Sequence, residues 1–389
     1  MRFPEFSGEW TKIKLGDLGS FFSGGTPSSS RKDFYGGEIP FIRSGELHSN
    51  STALSITKEA YDSCSAKMVN KGDLLLALYG ATSGDISISR ISGAINQAIL
   101  CIRPQYMDAY FIKSLWEKHK KHILETYLQG GQGNLSSEII KNISFFFPNS
   151  DEQVKISRLI HIIDDRIETQ SKIIEELKTL RGALVDTYIN DGNNNENQTI
   201  MSLGAYGCFV RGLTYSSVDV TDDTATTGVV RSNNLESGSP VDIKTDLAYV
   251  TKKPNPEQML VNGDIVICMA NGSSSLVGKA SNYQELCRNM TVGAFCGIYR
   301  GTHPLTKWIF MSSAYCKAVA NAIQGGNGAI ANLHAEDILS MCFAVPSDYK
   351  TITELGKLMS LFDEKLHAAE EQLARFIEQK KYFLFKMFI

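Results

Sequence analysis

The chain lacks the loops and clusters on which most enzymes depend. It has no GxxxxGK[ST] loop, no GxGxxG after a strand and no HExxH. Nucleotide hydrolysis, dinucleotide chemistry and zinc proteolysis therefore have no seat. Its seven histidines stand at no ligand spacing to cysteine. The eight cysteines (Cys64, Cys101, Cys208, Cys268, Cys287, Cys296, Cys316 and Cys342) form no CxxC pair. That excludes a disulfide or zinc framework and reads as reduced thiol in a cytoplasmic protein. No apolar run approaches the roughly 20 residues of a membrane span, so no membrane partner is expected. Met1-Arg2-Phe3-Pro4-Glu5 lacks the apolar core of a signal peptide. Strong charge of either sign is missing too, with 39 Lys+Arg against 42 Asp+Glu and a net −3. A chain gripping nucleic acid by bulk electrostatics would be more basic. Either it binds none, or binding is local and assisted by a basic partner.

Signatures of DNA chemistry are absent as well. There is no FxGxG cofactor loop and no Asn/Asp-Pro-Pro-aromatic tetrapeptide; Pro254-Asn255-Pro256 has the wrong order. Glu176-Leu177-Lys178 spells the ExK of many nucleases but falls within a helical heptad pattern rather than on a strand. No catalytic or metal-binding residue is assigned.

What the chain has is a duplication. Leu15, Gly16, Gly19, Gly24, Thr26 and Ser28 recur 188 positions later as Leu203, Gly204, Gly207, Gly212, Thr214 and Ser216. Ile42-Arg43-Ser44 with Leu47 recurs as Val230-Arg231-Ser232 with Leu235, and Lys71-Gly72-Asp73 as Asn262-Gly263-Asp264. Gly93-Ala94 and Pro104 match Gly293-Ala294 and Pro304, while Asn134-Leu135 and Pro148 match Asn332-Leu333 and Pro346. The pattern predicts an α+β fold with mixed α/β modules at 1–149 and 199–349. A helix over 150–190 follows the first module, a polar linker over 191–198 precedes the second, and a helix over 350–389 follows it.

Within the first module, Ile39–Ile42, Leu74–Tyr79, Ile86–Ser89 and Ile95–Arg103 read as short strands. Asp108–Leu128 reads as an amphipathic helix with Phe111, Leu115, Trp116, Ile123 and Tyr127 inward. Each long helix carries a heptad seam. The first places Ile156, Ile163, Gln170, Leu177 and Leu184 at a, with Ile160, Ile167, Ile174, Arg181 and Tyr188 at d. Adding 199 gives Leu355, Phe362, Ala369, Phe376 and Phe383, with Met359, Leu366, Leu373, Lys380 and Met387. Such seams predict a two-helix coiled coil; antiparallel pairing puts the two modules at opposite ends of a rod, and parallel pairing stays open. Ser150 with Gln153, and Thr351 with Glu354, fit capping boxes.

The loops carry the candidate contacts. Ser23–Ser30 offers small residues, free N–H groups and hydroxyls suited to phosphate, or simply a tight turn. The runs 130–134 and 325–328 add amides able to reach base edges, or act as hinges. Arg43 and Arg231 read as DNA contacts or as members of structural ion pairs. The candidates are Gly25, Thr26, Ser28, Arg43, Ser44, Tyr79, Thr82, Ser83, Gln132 and Asn134, then Thr214, Ser216, Arg231, Ser232, Asn271, Ser273 and Asn327.

Taken in order and twice over, these motifs resemble the specificity subunit of a type I restriction-modification system. The resemblance rests on Leu15–Gly19 running into Gly24–Ser28, then Ile39–Arg43, Lys71–Asp73, Gly93–Gln97, Asn134-Leu135, and Glu152-Gln153 at the helix start. It implies that each module is a target recognition domain reading one half of a split, asymmetric double-stranded DNA site. The helices then set the spacing and dock two methyltransferase subunits, with Ile156, Ile160, Ile163, Ile167, Ile174, Leu177, Leu184, Leu355, Met359, Phe362, Leu366, Leu373, Phe376 and Phe383 as the paired and docking face. S-adenosylmethionine and ATP would be bound only by partners, the restriction and translocase subunits joining through the methyltransferase core. The second copy departs from the pattern at Arg211–Ser216 and lacks the Glu-Gln pair at its helix start. A protein-binding scaffold and a self-contained modification enzyme are the competing classes.

Overall fold

The computed structural model describes residues 2–128, 134–192, 197–284, 289–323 and 330–388. It divides into one unit of Met1–Lys172 with Glu370–Ile389, and a second of Ile173–Ala369. Each long helix contributes to both units. The α+β class expected from the sequence is what the structure shows.

In the first unit, Gly19–Ser23, Ile99–Pro104, Leu74–Ala77 and Ile86–Ile88 form an antiparallel sheet in that order. A second sheet orders Ser55–Ile56, Tyr35–Ile42, Gly93–Ile95 and Lys67–Val69, with Tyr35–Ile42 and Gly93–Ile95 parallel. The helix Ala109–Tyr127 is started by Asp108, whose Oδ1 accepts from the Phe111 N–H at 2.7 Å. It lays Phe111, Ile112, Leu115, Trp116 and Ile123 on Leu74, Leu76, Leu100 and Ile102. Tyr127, expected inward, is exposed; it lies in the last turn, where the helix has left the sheet.

The second unit repeats the first sheet with Gly207–Arg211, Cys296–Gly301, Ile265–Cys268 and Ala280–Asn282. Its second sheet keeps the parallel pair, now Thr227–Val230 with Met290–Val292, but its fourth strand, Val220–Thr221, lies at the opposite edge. One ion pair repeats within these frames. Arg103 meets Asp73 at 2.6 Å and Arg300 meets Asp264 at 2.7 Å. The preceding Gly72 and Gly263 have φ of +97° and +92°, which favours glycine.

Strand register corrects two of the sequence matches. Ile95 pairs with Ile42 as Val292 pairs with Val230, so Gly93 corresponds to Met290 and Gly293 to Asn96. Likewise Gly19 faces Pro104 where Gly207 faces Gly301, so Pro304 is not the counterpart of Pro104. In both cases the strands keep an offset of 197, so the similar short words at an offset of 200 are chance matches standing three residues out of register. The linker is not free at its ends: Asn190 and Ala344 exchange backbone hydrogen bonds at 3.2 and 2.9 Å.

The long helices are Ser150–Tyr188 and Tyr349–Met387. Their caps stand before the expected serine and threonine. Asn149 Oδ1 accepts from the Glu152 N–H at 2.9 Å, and Asp348 Oδ2 from the Thr351 N–H at 2.8 Å. Gln153 instead donates to Pro148 O at 2.9 Å. An amide or carboxylate one residue before the helix reaches the free N–H groups directly.

Within each unit the helix segments run antiparallel. In the first, Ile156 and Ile160 share a core with Leu384, Met387 and Phe388, and Arg166 lies over Phe376. In the second, Val185 and Ile189 share one with Ile352, Leu355 and Met359. In each helix burial steps one residue off the heptad at its end, to Val185 and Ile189 and to Leu384 and Phe388, leaving Leu184 and Phe383 half-buried. A straight helix drifts against a seven-residue repeat, and here the drift turns the last apolar residues into a module core.

The shared basic slot has matched acids. Lys380 Nζ lies 2.8 Å from Asp164, which also meets Lys113 at 2.9 Å and accepts from the Tyr110 hydroxyl. Arg181 lies 2.7 Å from Asp363, which also pairs with Lys307. Asp363 stands 199 residues after Asp164, the interval that separates Arg181 from Lys380. In each unit a carboxylate on one helix thus ties a cation of the opposite helix to a cation of the module. Burial pushes the Asp164 carboxyl up, but Lys113 and Lys380 outweigh it and hold it below the usual carboxylate range. Its stabilisation is therefore complete above the unfolded value of about 4 and fades as pH falls through the lower native value. Asp164→Asn is expected to destabilise by about 2–3 kcal/mol, less than a fully buried pair because a fifth of the side chain stays exposed. Denaturant titrations across pH should show the acid limb flattened in the variant.

Candidate nucleic-acid interface

The parallel strand pair assembles the candidate loops of the first unit. Asn96 N–H donates to Ile42 O at 3.3 Å, placing the turn after Ile95 beside Arg43 and Ser44. Gly25 N–H donates to Ile95 O at 3.2 Å, bringing the glycine loop to the same turn. Glycine is needed there: a Cβ on Gly24 would lie 1.7 Å from Ile95 O. Gln97 then joins the two, its Oε1 accepting from the Thr26 hydroxyl, while burial raises the Tyr79 phenol and Gln97 partly offsets that rise. Asn134 arrives through its neighbour Leu135, whose N–H donates to Leu78 O at 2.8 Å.

The second unit repeats the construction. Gly293 N–H donates to Val230 O at 2.9 Å, Leu213 N–H to Val292 O at 2.8 Å, and Leu333 N–H to Met269 O at 2.8 Å. A Cβ on Gly212 would lie 2.1 Å from Gly293 O. Asn271 Nδ2 donates to the Ser232 hydroxyl at 3.2 Å, joining two expected contacts. Tyr215, Arg231, Ser232, Asn233 and Phe295 line an open cleft of about 390 Å³.

The expected residues divide by what already holds them. Arg43 Nε lies 3.1 Å from Glu46, and Arg231 lies 3.1 Å from Asp246, so the ion-pair reading is realised in both. The two differ in one atom: Arg231 Nε is buried without a hydrogen-bond partner. Burial raises the Glu46 carboxyl, yet Arg43 and the N–H groups of Ala53 and Arg43 bring it below its ordinary range. Ser44 opens the short turn Ser44–Glu46. The Ser28 hydroxyl bonds Ser30, and Ser273 bonds Ser275, each at 2.8 Å. The Ser83 hydroxyl turns onto Leu78 O at 3.1 Å, and Thr82 O accepts from the Asp85 N–H at 2.9 Å, so both shape a turn. The Ser216 hydroxyl is held by Asp219 at 2.9 Å. Thr214 O takes Lys252 Nζ at 2.7 Å. Gln132 and Asn327 lie outside the described residues.

Sequence reasoning missed Gln97, Lys252 and Phe295. Gln97 stood inside a quoted motif, but the three-residue mismatch between the copies hid its position at the centre of the cluster. Lys252 lies two residues beyond the strand Ala248–Val250, in a stretch that no sequence match reached. Phe295 was masked by the false match of Gly93-Ala94 with Gly293-Ala294. Among the described residues, no cluster of His, Cys, Asp or Glu could hold a metal ion, and no helix is long and apolar enough to cross a membrane.

The chain resembles known proteins in sequence and in fold. Residues 7–179 match the family described as type I restriction modification DNA specificity domain. The MjaIX specificity subunit of Methanocaldococcus jannaschii is 27% identical over 194 residues, 47% of this chain and 44% of that one. The EcoKI specificity subunit of Escherichia coli K12 is 34% identical over 114 residues, 28% of this chain and 24% of that one. The chain thus spans less than half the length of these curated relatives. In fold it resembles the type I S subunit from M. genitalium, with a TM-score of 0.60 at 15% identity, covering 100% of this chain and 99% of that one.

The close approaches of Gly24 and Gly212 give a direct check. Gly24→Ala and Gly212→Ala should each destabilise by about 1–3 kcal/mol through forced backbone shifts, measured by chemical denaturation. An alanine at Gly45, where a Cβ meets nothing within 4 Å, is the control.

Proposed function

We propose that this chain, whose residues 7–179 match the type I restriction modification DNA specificity domain, is a type I restriction-modification specificity subunit, a non-catalytic adaptor reading a bipartite, asymmetric DNA site. Residues 1–149 and 199–349 each read one half-site. The helices at 150–190 and 350–389 set the spacing and dock two methyltransferase subunits. Those subunits carry S-adenosylmethionine and methylate adenine, and restriction subunits with ATP-driven translocation join through them. The chain itself takes no cofactor and works in the cytoplasm.

One observation carries this reading. The two frames share the order of the first sheet, the parallel pair of the second, an ion pair and the glycine approaches; the turns they gather repeat Thr26, Ser28, Arg43 and Ser44 but differ elsewhere, with Asn96-Gln97-Ala98 standing where Gly293-Ala294-Phe295 stands. Different reading surfaces on one scaffold suit two half-sites of unlike sequence. A net charge of −3 fits local contacts supplemented by the phosphate grip of basic partners.

Exchanging residues 1–149 for those of a relative should change one methylated half-site and leave the other intact. A protein-binding scaffold would leave the methylation map untouched. A matched four-residue insertion between Asp164 and Arg181, and between Asp363 and Lys380, keeps each ion pair and adds about 6 Å of helix. It should widen the gap between half-sites by roughly two base pairs, with both half-sites unchanged in mapped genomic adenine methylation. An unaltered gap would show that the helices are not the ruler.

A further inference from the structure

The turn after the parallel strand occupies the same place in both units and presents different chemistry. It is fixed in the first by Asn96 N–H to Ile42 O and by Leu78 N–H to Ala98 O at 2.8 Å. In the second, Gly293 N–H to Val230 O and Met269 N–H to Phe295 O, also 2.8 Å, make the same two ties. Backbone position is therefore common to both, and only the side chains vary. The first turn exposes Gln97; the second exposes Ala294 and Phe295, the latter 62% accessible.

Each exposed side chain is poised by its neighbours. Gln97 Oε1 accepts from the Thr26 hydroxyl. An amide has one oxygen and two N–H groups, so with the oxygen engaged the N–H groups are what the side chain has to donate. Phe295 has no structural reason to face water: its counterpart, Ala98, is 5% exposed and small. It stands in the cleft with Tyr215 and with Arg231, whose buried Nε has no hydrogen-bond partner. An exposed aromatic beside a guanidinium offers an apolar face next to hydrogen-bond donors. The 5-methyl group of thymine on the major-groove edge is the DNA feature that such a face recognises.

We propose that this turn is the base-discriminating element of each module, with Gln97 donating to a base-edge acceptor in one half-site and Phe295 packing on a thymine methyl in the other. The assignment rests on the DNA-reading function proposed above. Gln97 and Phe295 are specificity-determining residues, and the loops around them position those side chains.

The test selects a randomised duplex pool on the full chain, alone and with its methyltransferase subunits, then repeats it with Gln97→Ala and with Phe295→Ala. Each variant should relax preference at one position of one half-site, by about 5-fold or more, leaving the other half-site sharp. Uracil in place of the critical thymine should weaken binding of the unaltered chain to a similar degree and have no effect on Phe295→Ala. If both variants keep every base preference, or uracil binds as thymine does, the proposal is overturned while DNA reading stands. If the unaltered chain enriches no sequence, the DNA-reading function itself fails. Both side chains are exposed, so thermal melting of the variants should match that of the unaltered chain; a large drop in melting temperature would overturn the proposal in favour of a structural role.

Discussion

Asp164 and Asp363 set the constraint on which the rest of the molecule depends. Each carboxylate sits between a cation of its module and a cation of the opposite helix: Asp164 lies 2.9 Å from Lys113 and 2.8 Å from Lys380, and Asp363 pairs with Lys307 and lies 2.7 Å from Arg181. Apolar seams tolerate sliding by a heptad, because one leucine resembles another. A charged group removed from water does not tolerate it, since a slip leaves both carboxylate and cation buried without a partner. The seam thus supplies most of the attraction, and the two acids select one axial alignment from several.

Much of this was legible in the sequence, and the remainder was hidden for identifiable reasons. The duplication, the heptads and the single basic slot at Arg181 and Lys380 could be counted directly. The acids were not visible, because Asp164 and Asp363 follow the seam positions Ile163 and Phe362 and read as solvent-facing residues. The helix starts were recognisable by type but were placed on serine and threonine, when Asn149 and Asp348 stood nearer. Matching short words failed at Gly93 and Gly293, since the same two-residue word lies within one strand and beyond the end of its counterpart. Register, which only the pairing of strands supplies, restored the equivalence.

The candidate interface shows the same division. Arg43 and Arg231 were correctly singled out as a repeated slot, yet each is already engaged by a carboxylate of its own loop. A charged side chain so held is pre-ordered and has less freedom left to lose in any further contact. Several hydroxyls read as contacts are also engaged within their own turns, Ser83 and Ser216 among them. Hydroxyl-rich loops serve both purposes, and composition does not separate them. Gln97 emerged only when Thr26 and Tyr79, distant in sequence, were seen on either side of it.

The ends of the helices carry a consequence for the order in which the protein is made. Leu384, Met387 and Phe388 complete the core around Phe111, Ile156 and Ile160 of the first unit. Val185 and Ile189 complete that of the second. A ribosome supplies Val185 and Ile189 before the module they fill, but delivers Phe388 only after both modules have been synthesised. The half that emerges first is thus the last to be finished. Throughout translation it keeps an apolar face open until the final turns of the second helix arrive, and premature termination leaves its deepest damage at the other end of the sequence.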